Sequence, residues 1–351
     1  MHFSTKQLTL TDKKMDYIKS YLINKRIDRA RIISFENGYL DRVFPVNNRN
    51  RIKRNSIYGY YKIYNKPVYT EKEKEEEPFM FLTYKEEKNS SYVSIRNSIR
   101  KWHFGKRSIS ELDKWQFLEC ICSLSKIIFN DSHSLLNATN LKLEIGKTLK
   151  ISSDLGLRVL VNSIGHKEFH KRIIYPGESQ YFLGESKKNG IITYNKGLEM
   201  QKQGLFKRHF IEQLSRKYML LRLEVKISKV SDSEFAKRNL KTINDVFTNW
   251  DLLLEYWKKQ MLMIDYIDKI SEEDIKHIKT EQRNVVIDYL TNKGFDFIGT
   301  DNFNAILKSL IKDTQRRSNV KSTILKKSEQ LLANPEKSTK NIMKQIINNK
   351  K

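Results

Sequence analysis

The chain contains little cysteine, proline or glycine: among its 351 residues there are two cysteines, five prolines and 13 glycines. The cysteines, Cys120 and Cys122, are separated by one residue, and no second pair follows. This spacing argues against a disulfide framework or a zinc site and indicates thiols in a helical core. The scarcity of proline and glycine argues against a disordered or linker-rich chain.

Long apolar runs are also missing. No stretch of 18 apolar residues occurs, so a transmembrane helix is not expected. The first residues, Met-His-Phe-Ser-Thr-Lys, contain no apolar segment of the kind found in export signals, which predicts a cytoplasmic location. There is no Gly-x-x-x-x-Gly-Lys-(Ser/Thr) motif, which argues against an ATP site.

Positive charge is what the chain has in excess. It carries 66 Lys and Arg against 41 Asp and Glu, a formal net charge of +25. Such an excess steers a protein toward a polyanion, with nucleic acid as the first candidate and an anionic membrane surface as the second. Because no long apolar segment accompanies the charge, we expect a nucleic acid and no membrane partner.

Residue patterns divide the chain into three parts. Residues 1–52 form a basic N-terminal segment, in which 13–33 are predicted to be helical. Residues 53–230 mix strand and helix patterns, and residues 231–351 contain helical patterns only. We predict an α+β fold, in which an antiparallel sheet with helices packed on one face forms the first domain and an all-helical C-terminal domain follows. The opposite face of the sheet is expected to be open.

Helix boundaries within the central part follow from capping signals. Ser110 and Asp113 resemble a capping box, which predicts that a helix opens at Ser110. A further helix is predicted over residues 205–218, directly before a strand at 219–228.

Three predicted strands sort their side chains by chemistry. In the last strand Arg222 and Glu224 point away from the alternating Leu, Val and Ile residues. In the strand before it, Tyr194 and Lys196 share a face, and Glu144 lies opposite the apolar side of an earlier strand. A Tyr, a Lys, an Arg and two Glu on one face could hold a divalent cation and attack a phosphodiester.

Four segments in this order resemble the rolling-circle replication initiators of the filamentous-phage gene II and plasmid initiation-factor type. They are residues 142–144 (Lys-Leu-Glu), 179–184 (a loose match to a Ser, Tyr and Gly turn), 194–199 (Tyr-Asn-Lys-Gly-Leu-Glu) and 222–224 (Arg-Leu-Glu). The resemblance covers residues 57–230.

The resemblance implies a DNA endonuclease and strand transferase that nicks one strand at an origin, holds the 5′ phosphate on a tyrosine and rejoins the strand. Tyr194 falls on the nucleophile. Glu144 and Glu224 fall on the metal ligands, where Mg²⁺ or Mn²⁺ would polarise the phosphate. Lys196 could favour the phenolate or neutralise the phosphate, and Glu199 could act as a base or as a third ligand.

DNA contacts are expected from Arg222, Lys187, Lys188 and Ser179, and Tyr181 is the alternative nucleophile. The partners implied are duplex and single-stranded origin DNA. Because the ATP motif is missing, a host helicase is expected to unwind the DNA and a host polymerase to extend it.

The C-terminal helices are expected to bind DNA or a partner. Residues 306–351 hold twelve Lys and Arg against three Asp and Glu. Since the predicted nucleophile and carboxylates all precede residue 230, removal of 306–351 is predicted to weaken DNA binding and to spare cleavage.

One departure from the family concerns the metal. Many related nucleases carry a His-hydrophobe-His motif, which this chain lacks. His166 and His170 are spaced i, i+4 and would share a face on a helix, where they could bind a metal, contact phosphate or lie on the surface. Three alternatives stay open: a conjugative relaxase, a non-catalytic DNA- or RNA-binding regulator, or an ordinary strand tyrosine beside a salt bridge between Arg222 and Glu224.

Overall fold

The computed structural model describes the following residues of the chain: 15–24, 40–42, 57–87, 90–169, 171–175, 177–184, 189–205, 217–230, 240–278, 283–298 and 300–348.

Twelve strands occur in these described stretches. They are β1 (Met15–Asn24), β2 (Leu40–Arg42), β3 (Ile57–Tyr64), β4 (Phe79–Glu87), β5 (Ser90–Asn97), β6 (Thr139–Ser152), β7 (Ser163–His166), β8 (Lys171–Tyr175), β9 (Ser179–Leu183), β10 (Asn189–Asn195), β11 (Tyr218–Ile227) and β12 (Ile264–Tyr266). Ten of them form one sheet in the order β2-β3-β4-β5-β1-β6-β11-β10-β9-β8, in which neighbouring strands are antiparallel. The remaining two, β7 and β12, pair with each other.

The same stretches contain twelve α-helices. They are α1 (Glu71–Glu76), α2 (Ile99–Phe104), α3 (Lys114–Phe129), α4 (Ser153–Asn162), α5 (Lys196–Lys202), α6 (Ile243–Thr248), α7 (Trp250–Leu262), α8 (Glu272–His277), α9 (Arg283–Ile298), α10 (Thr300–Leu310), α11 (Thr314–Gln330) and α12 (Thr339–Asn348). None of these helices is both long enough and apolar enough to cross a lipid bilayer. Most of the helix predicted over residues 205–218 lies outside the described residues.

The helix predicted over residues 13–33 is wrong where the chain is described, because Met15–Asn24 is a strand. It lies between β5 and β6, so that Ile18 faces Asn97 on one side and Leu143 on the other. Strand pairing on both sides satisfies the backbone donors and acceptors of β1 and of two neighbouring strands. This gain outweighs the local helical preference of the segment.

Helices pack on the apolar face of the sheet, which confirms the predicted α+β fold. The odd-numbered residues Leu221, Leu223 and Val225 of β11 are fully buried. The Trp257 indole N–H, from α7, donates a 3.1 Å hydrogen bond to the Leu223 carbonyl. The helices α3, α4, α6, α7 and α12 all contribute side chains to this core, which include Phe117, Val159, Val246, Leu253 and Met343.

The predicted domain boundaries at residues 52 and 230 do not coincide with breaks in packing. Strand β1 comes from the segment before residue 52 and lies inside the sheet. Helices α6, α7 and α12 follow residue 230 and belong to the core described above. The physical reason is that the apolar face of the sheet must be buried against other elements, and these amphipathic helices bury it.

Helices α9, α10 and α11 pack around a second and smaller apolar cluster. Phe295, Phe303 and Leu307 meet Ile164 of β7 there. The C-terminal part of the chain therefore contains both core helices and a peripheral group of three helices.

The two cysteines lie on α3 and are free thiols. Cys120 is buried and Cys122 is half-buried. Burial raises the pKa of the Cys120 thiol well above its usual value. The prediction of a core thiol is confirmed for Cys120.

Candidate functional site

The register of three central strands gathers polar residues on the face opposite the core. Tyr194 of β10 and Thr148 of β6 lie on either side of Arg222 of β11. Glu224 has Ile192 on one side and Gly146, which has no side chain, on the other. Because side chains alternate along a strand, Arg222, Glu224 and their partners share one face.

Tyr194 and Glu224 are joined by a hydrogen bond on this face. The Tyr194 hydroxyl donates to Glu224 Oε1 at 3.0 Å. Burial, the charges of Glu224 and Glu199, and this hydrogen bond raise the pKa of Tyr194 far above its usual value. Burial alone would raise the pKa of Glu224, but the charges of Arg222 and Lys226 outweigh it and hold that pKa low. The pair is therefore a neutral phenol beside a carboxylate at neutral pH.

Arg222 orients the Glu224 carboxylate from beneath. Its Nε donates to the same Oε1 at 3.2 Å, and its Nη1 donates to Glu111 Oε1 at 2.6 Å and to Thr148 Oγ1 at 2.9 Å. Only 2% of Arg222 and 9% of Glu224 is exposed, so the face predicted to be open is covered at this point. A buried charge needs such compensation, and Arg222 has a carboxylate on each side.

Glu111 is the residue that sequence reasoning missed. Its carboxylate also accepts the backbone N–H of Thr148. Within the described residues, the pairing of β1 with β6 ends at Ile145. Thr148 lies beyond that end, and its backbone N–H donates to Glu111 instead of to a residue of β1. The predicted capping box at Ser110 concealed this role.

The actual cap of α3 lies three residues later than predicted. The side chain of Asp113 accepts from two backbone N–H groups of the first turn, and Gln116 accepts from the N–H of Asp113. Glu111 therefore lies in the segment before the helix, from which its side chain reaches the site. Arg100 steadies that segment by donating to the carbonyls of Ser108 and Ser110 at 2.8 and 3.0 Å.

Lys196 and Glu199 lie beside the tyrosine on helix α5 rather than on the strand, because Asn195 caps a helix that begins at Lys196. Lys196 is almost fully buried, forms an ion pair with Glu199 and places its Nζ 5.7 Å from the centre of the Tyr194 ring. Burial first, and then the charge of Lys196, lower the pKa of Lys101 on helix α2.

A cavity of about 390 Å³ opens beside Tyr194 and Glu224. The predicted residues Ser179, Tyr181 and Glu199 line it too. Tyr181 packs its ring edge-on to another tyrosine, whereas Tyr194 is hydrogen-bonded to a carboxylate. Lys187 and Lys188 lie outside the described residues.

The two carboxylates predicted to bind a metal are each engaged by cationic side chains. Glu144 Oε1 lies 3.0 Å from Lys142 Nζ and 3.7 Å from Lys226 Nζ, and Lys226 faces Glu144 across the strands. Glu224 is engaged by Arg222 and Tyr194. In the described part of the chain, no group of three or more His, Cys, Asp or Glu residues could hold a metal ion. To hold Mg²⁺ or Mn²⁺, these two carboxylates would have to leave their present cationic partners.

His166 has a structural role, and the predicted helix around it is replaced by the end of β7. Its Nε2 is 3.0 Å from the Gln260 carbonyl, and its Nδ1 accepts the N–H groups of Glu168 and Phe169 at 3.1 and 3.2 Å. Both ring nitrogens are thus engaged inside the protein. His170 lies outside the described residues.

The fold and the site define an α+β protein with a buried Glu-Arg-Glu-Tyr array at a cavity on an antiparallel sheet. Comparison with protein-family models, with curated proteins and with solved structures finds no match to the chain. The resemblance to rolling-circle initiators therefore rests on the sequence motifs alone.

Proposed function

We propose that the protein nicks one strand of DNA and rejoins it through a covalent phosphotyrosine on Tyr194. The observation that carries this proposal is the hydrogen bond from Tyr194 to Glu224, with Arg222 behind Glu224. A nucleophile bonded to a base, which a third group orients, is the arrangement that covalent catalysis uses. The net charge of +25 supports a polyanionic substrate.

The reaction divides between the residues as follows. Tyr194 Oη attacks the phosphorus while Glu224 accepts the phenol proton. The new Tyr–O–P bond retains the 5′ phosphate, and the bond from phosphorus to the 3′ oxygen breaks. Lys196 donates a proton to that oxygen and releases a 3′ hydroxyl. The reverse sequence rejoins the strand, since the covalent intermediate conserves the bond.

The hydrogen bond that the Tyr194 hydroxyl donates to Glu224 Oε1 is the reason for the role of Glu224 in this scheme. A phenol held in its protonated form does not react until a base takes the proton. Glu224 is therefore a general base in the proposal rather than a metal ligand, and Glu199 holds Lys196 in place. No step is routed through a metal ion. Origin DNA, a host helicase and polymerase, and a cytoplasmic location complete the proposal.

A second candidate is a nucleic-acid-binding protein without catalysis. The observation that favours it is the engagement of each carboxylate at the cavity: Glu224 with Arg222, Glu199 with Lys196, and Glu178 with Lys202 at 2.6 Å. In that case the buried array only joins β6, β10 and β11. A conjugative relaxase shares the chemistry of the first proposal and differs in the DNA sequence cut.

The test is adduct formation on a supercoiled plasmid library with random inserts, in Mg²⁺, in Mn²⁺ and in EDTA. The proposal expects open circles with protein fixed to a 5′ end, and loss of both products in Tyr194→Phe. Tyr181→Phe is the matched control and should retain them. Retarded DNA without any nick supports the second candidate, and activity that Tyr181→Phe alone abolishes moves the nucleophile to Tyr181.

A further inference from the structure

Helix α11 stands at the surface of the C-terminal helical group, joined to α10 by residues 311–313 alone. Arg317 fixes this short connection, because its Nη1 donates to the carbonyls of Ile311 and Lys312 at 2.7 and 2.8 Å. Two helices joined by a short ordered turn are the frame of a helix-turn-helix.

One side of α11 holds it to the rest of the protein. Val320, Ile324 and Leu325 pack against the apolar cluster of α9 and α10. Lys321 Nζ lies 3.3 Å from an Asp265 carboxylate oxygen of β12, and Lys327 is paired with Asp288 of α9 at 2.8 Å. The position of the helix is therefore fixed by contacts on this side.

The other side of α11 is exposed, polar and basic. Its exposed residues are Gln315, Arg316, Ser318, Asn319, Ser322, Thr323 and Lys326. No acidic residue occurs between Asp313, which caps the helix, and Glu329 near its end. Up to Glu329 in the last turn, this face carries cations and amides without a carboxylate, which suits the phosphates and base edges of DNA.

Two amides on this face are already aligned. Gln315 Nε2 donates to Asn319 Oδ1 at 3.1 Å, one helical turn away, in the first two turns of α11. Asn and Gln are the side chains that bond adenine through two contacts in the major groove. In a helix-turn-helix, the N-terminal residues of the second helix reach the base edges.

We propose that the exposed face of α11 enters the major groove of duplex DNA. Gln315 and Asn319 read base edges, and Arg316 and Lys326 contact the phosphates. This surface is separate from the Tyr194 cavity, and the inference does not depend on Tyr194 being a nucleophile. It would position the protein on a preferred sequence.

Duplexes are selected from a random library with the full-length chain, and the affinity for the selected and for a scrambled duplex is measured by fluorescence anisotropy over a range of salt. Asn319→Ala should reduce the preference for the selected duplex by about 5- to 150-fold, because one bidentate contact is lost. Its affinity for the scrambled duplex should stay unchanged.

Arg316→Gln with Lys326→Gln should weaken both duplexes alike and make the slope of log K against log[salt] shallower by about 2, from about 0.9 for each phosphate contact. The matched control is Lys72→Gln on α1 with Lys344→Gln on α12, which removes the same charge elsewhere and should leave the slope unchanged. Because all four positions are exposed, equal melting temperatures are expected.

Three results would overturn the inference. The preference could survive Asn319→Ala, the control could match the Arg316 and Lys326 variant, or the selection could enrich no duplex while RNA binds well. Each is read from binding without cleavage, so failure here is distinguishable from failure of the Tyr194 chemistry.

Discussion

The Tyr194 hydroxyl and the Glu224 carboxylate are 3.0 Å apart although the two residues are not directly opposite in the β10–β11 ladder. Tyr194 faces Arg222, so its ring reaches diagonally along the neighbouring strand, a distance that an aromatic side chain spans. Because the tyrosine ring takes this diagonal path, the guanidinium of Arg222 can contact both Glu224 and Glu111. The register of β10 and β11 thus connects the cavity beside Tyr194 to the buried ion pairs of Arg222 with Glu224 and Glu111.

Replacing Glu224 and replacing Glu144 by Gln should have different effects on adduct formation and on the free energy of unfolding. Glu224→Gln removes the proposed base and leaves the buried Arg222 with one carboxylate fewer, so we expect loss of the adduct and a cost of about 3 kcal/mol in unfolding free energy. Glu144→Gln breaks ion pairs with Lys142 and Lys226, which are more exposed than Arg222 and can turn toward solvent, so it should cost less than Glu224→Gln.

Adduct assays and urea denaturation of both variants check this difference. Equal loss of cleavage in the two variants, restored by raised Mn²⁺, would return Glu224 to the role of metal ligand. Retention of cleavage in Glu224→Gln would remove the base from the mechanism.

Glu111→Gln tests whether the far end of the array positions the tyrosine. The amide keeps the shape but loses the charge opposite Arg222, which should cost about 1–3 kcal/mol of stability. Displacement of Glu224 should slow adduct formation by up to about 100-fold. Rates are measured well below the melting temperature of each variant, so that unfolding does not enter.

Glu178→Gln is the control for Glu111→Gln, since Glu178 forms an exposed ion pair with Lys202 at the rim of the same cavity. It should change the stability by less than about 1 kcal/mol. A Glu111→Gln protein that is destabilised but forms the adduct at the normal rate would limit Glu111 to a structural role.

The sequence predicts the central strands well because their period of two is sharp. In β11 the apolar residues alternate with Arg222 and Glu224, so only one register buries the apolar set. Strand β10 contains two adjacent isoleucines and no such alternation, and its pairing with β11 is seen only in the structure. The local sequence pattern is sufficient to predict a strand where apolar and polar residues alternate clearly, as they do in β11.

The rest depends on contacts between distant parts of the chain. Glu111 meets Arg222 across 111 positions, and no local spacing encodes that meeting. Met15–Asn24 becomes a strand because β5 and β6 need a partner, a requirement that the segment itself does not show.

The pH dependence of stability should report the buried phenol. The pKa of Tyr194 is raised in the folded protein. The contribution of this phenol to the free energy of unfolding is therefore fully present below about pH 10, the pKa of a tyrosine in the unfolded chain, and is lost as the pH rises further. Above about pH 10 the wild-type free energy of unfolding should fall more steeply than that of Tyr194→Phe, by up to about 1.4 kcal/mol per pH unit.

Urea denaturation at a series of alkaline pH values measures this slope. Tyr181→Phe, which removes a hydroxyl from the same cavity, is the control and should follow the wild type. Parallel curves for the wild type and Tyr194→Phe would mean that the Tyr194 hydroxyl is not held as the structure shows.

The C-terminal helix α12 should be required for the stability of the whole sheet. Met343, Ile346 and Ile347 are buried in the main core, and Thr339 bonds to Asp268 through its backbone N–H at 2.8 Å. We therefore expect that removing residues 306–351 impairs the Tyr194 site as well as DNA binding, contrary to the prediction from sequence.

Point variants separate these effects better than the deletion. Met343→Ala should cost about 2–5 kcal/mol, because the lost methylenes leave a cavity, whereas Lys344→Ala at the next, exposed position should cost less than about 0.5 kcal/mol. Thermal unfolding followed by circular dichroism measures both. If Met343→Ala unfolds at the temperature of the wild type, α12 is dispensable to the core, and the truncated chain should then cleave a single-stranded oligonucleotide as the sequence predicts.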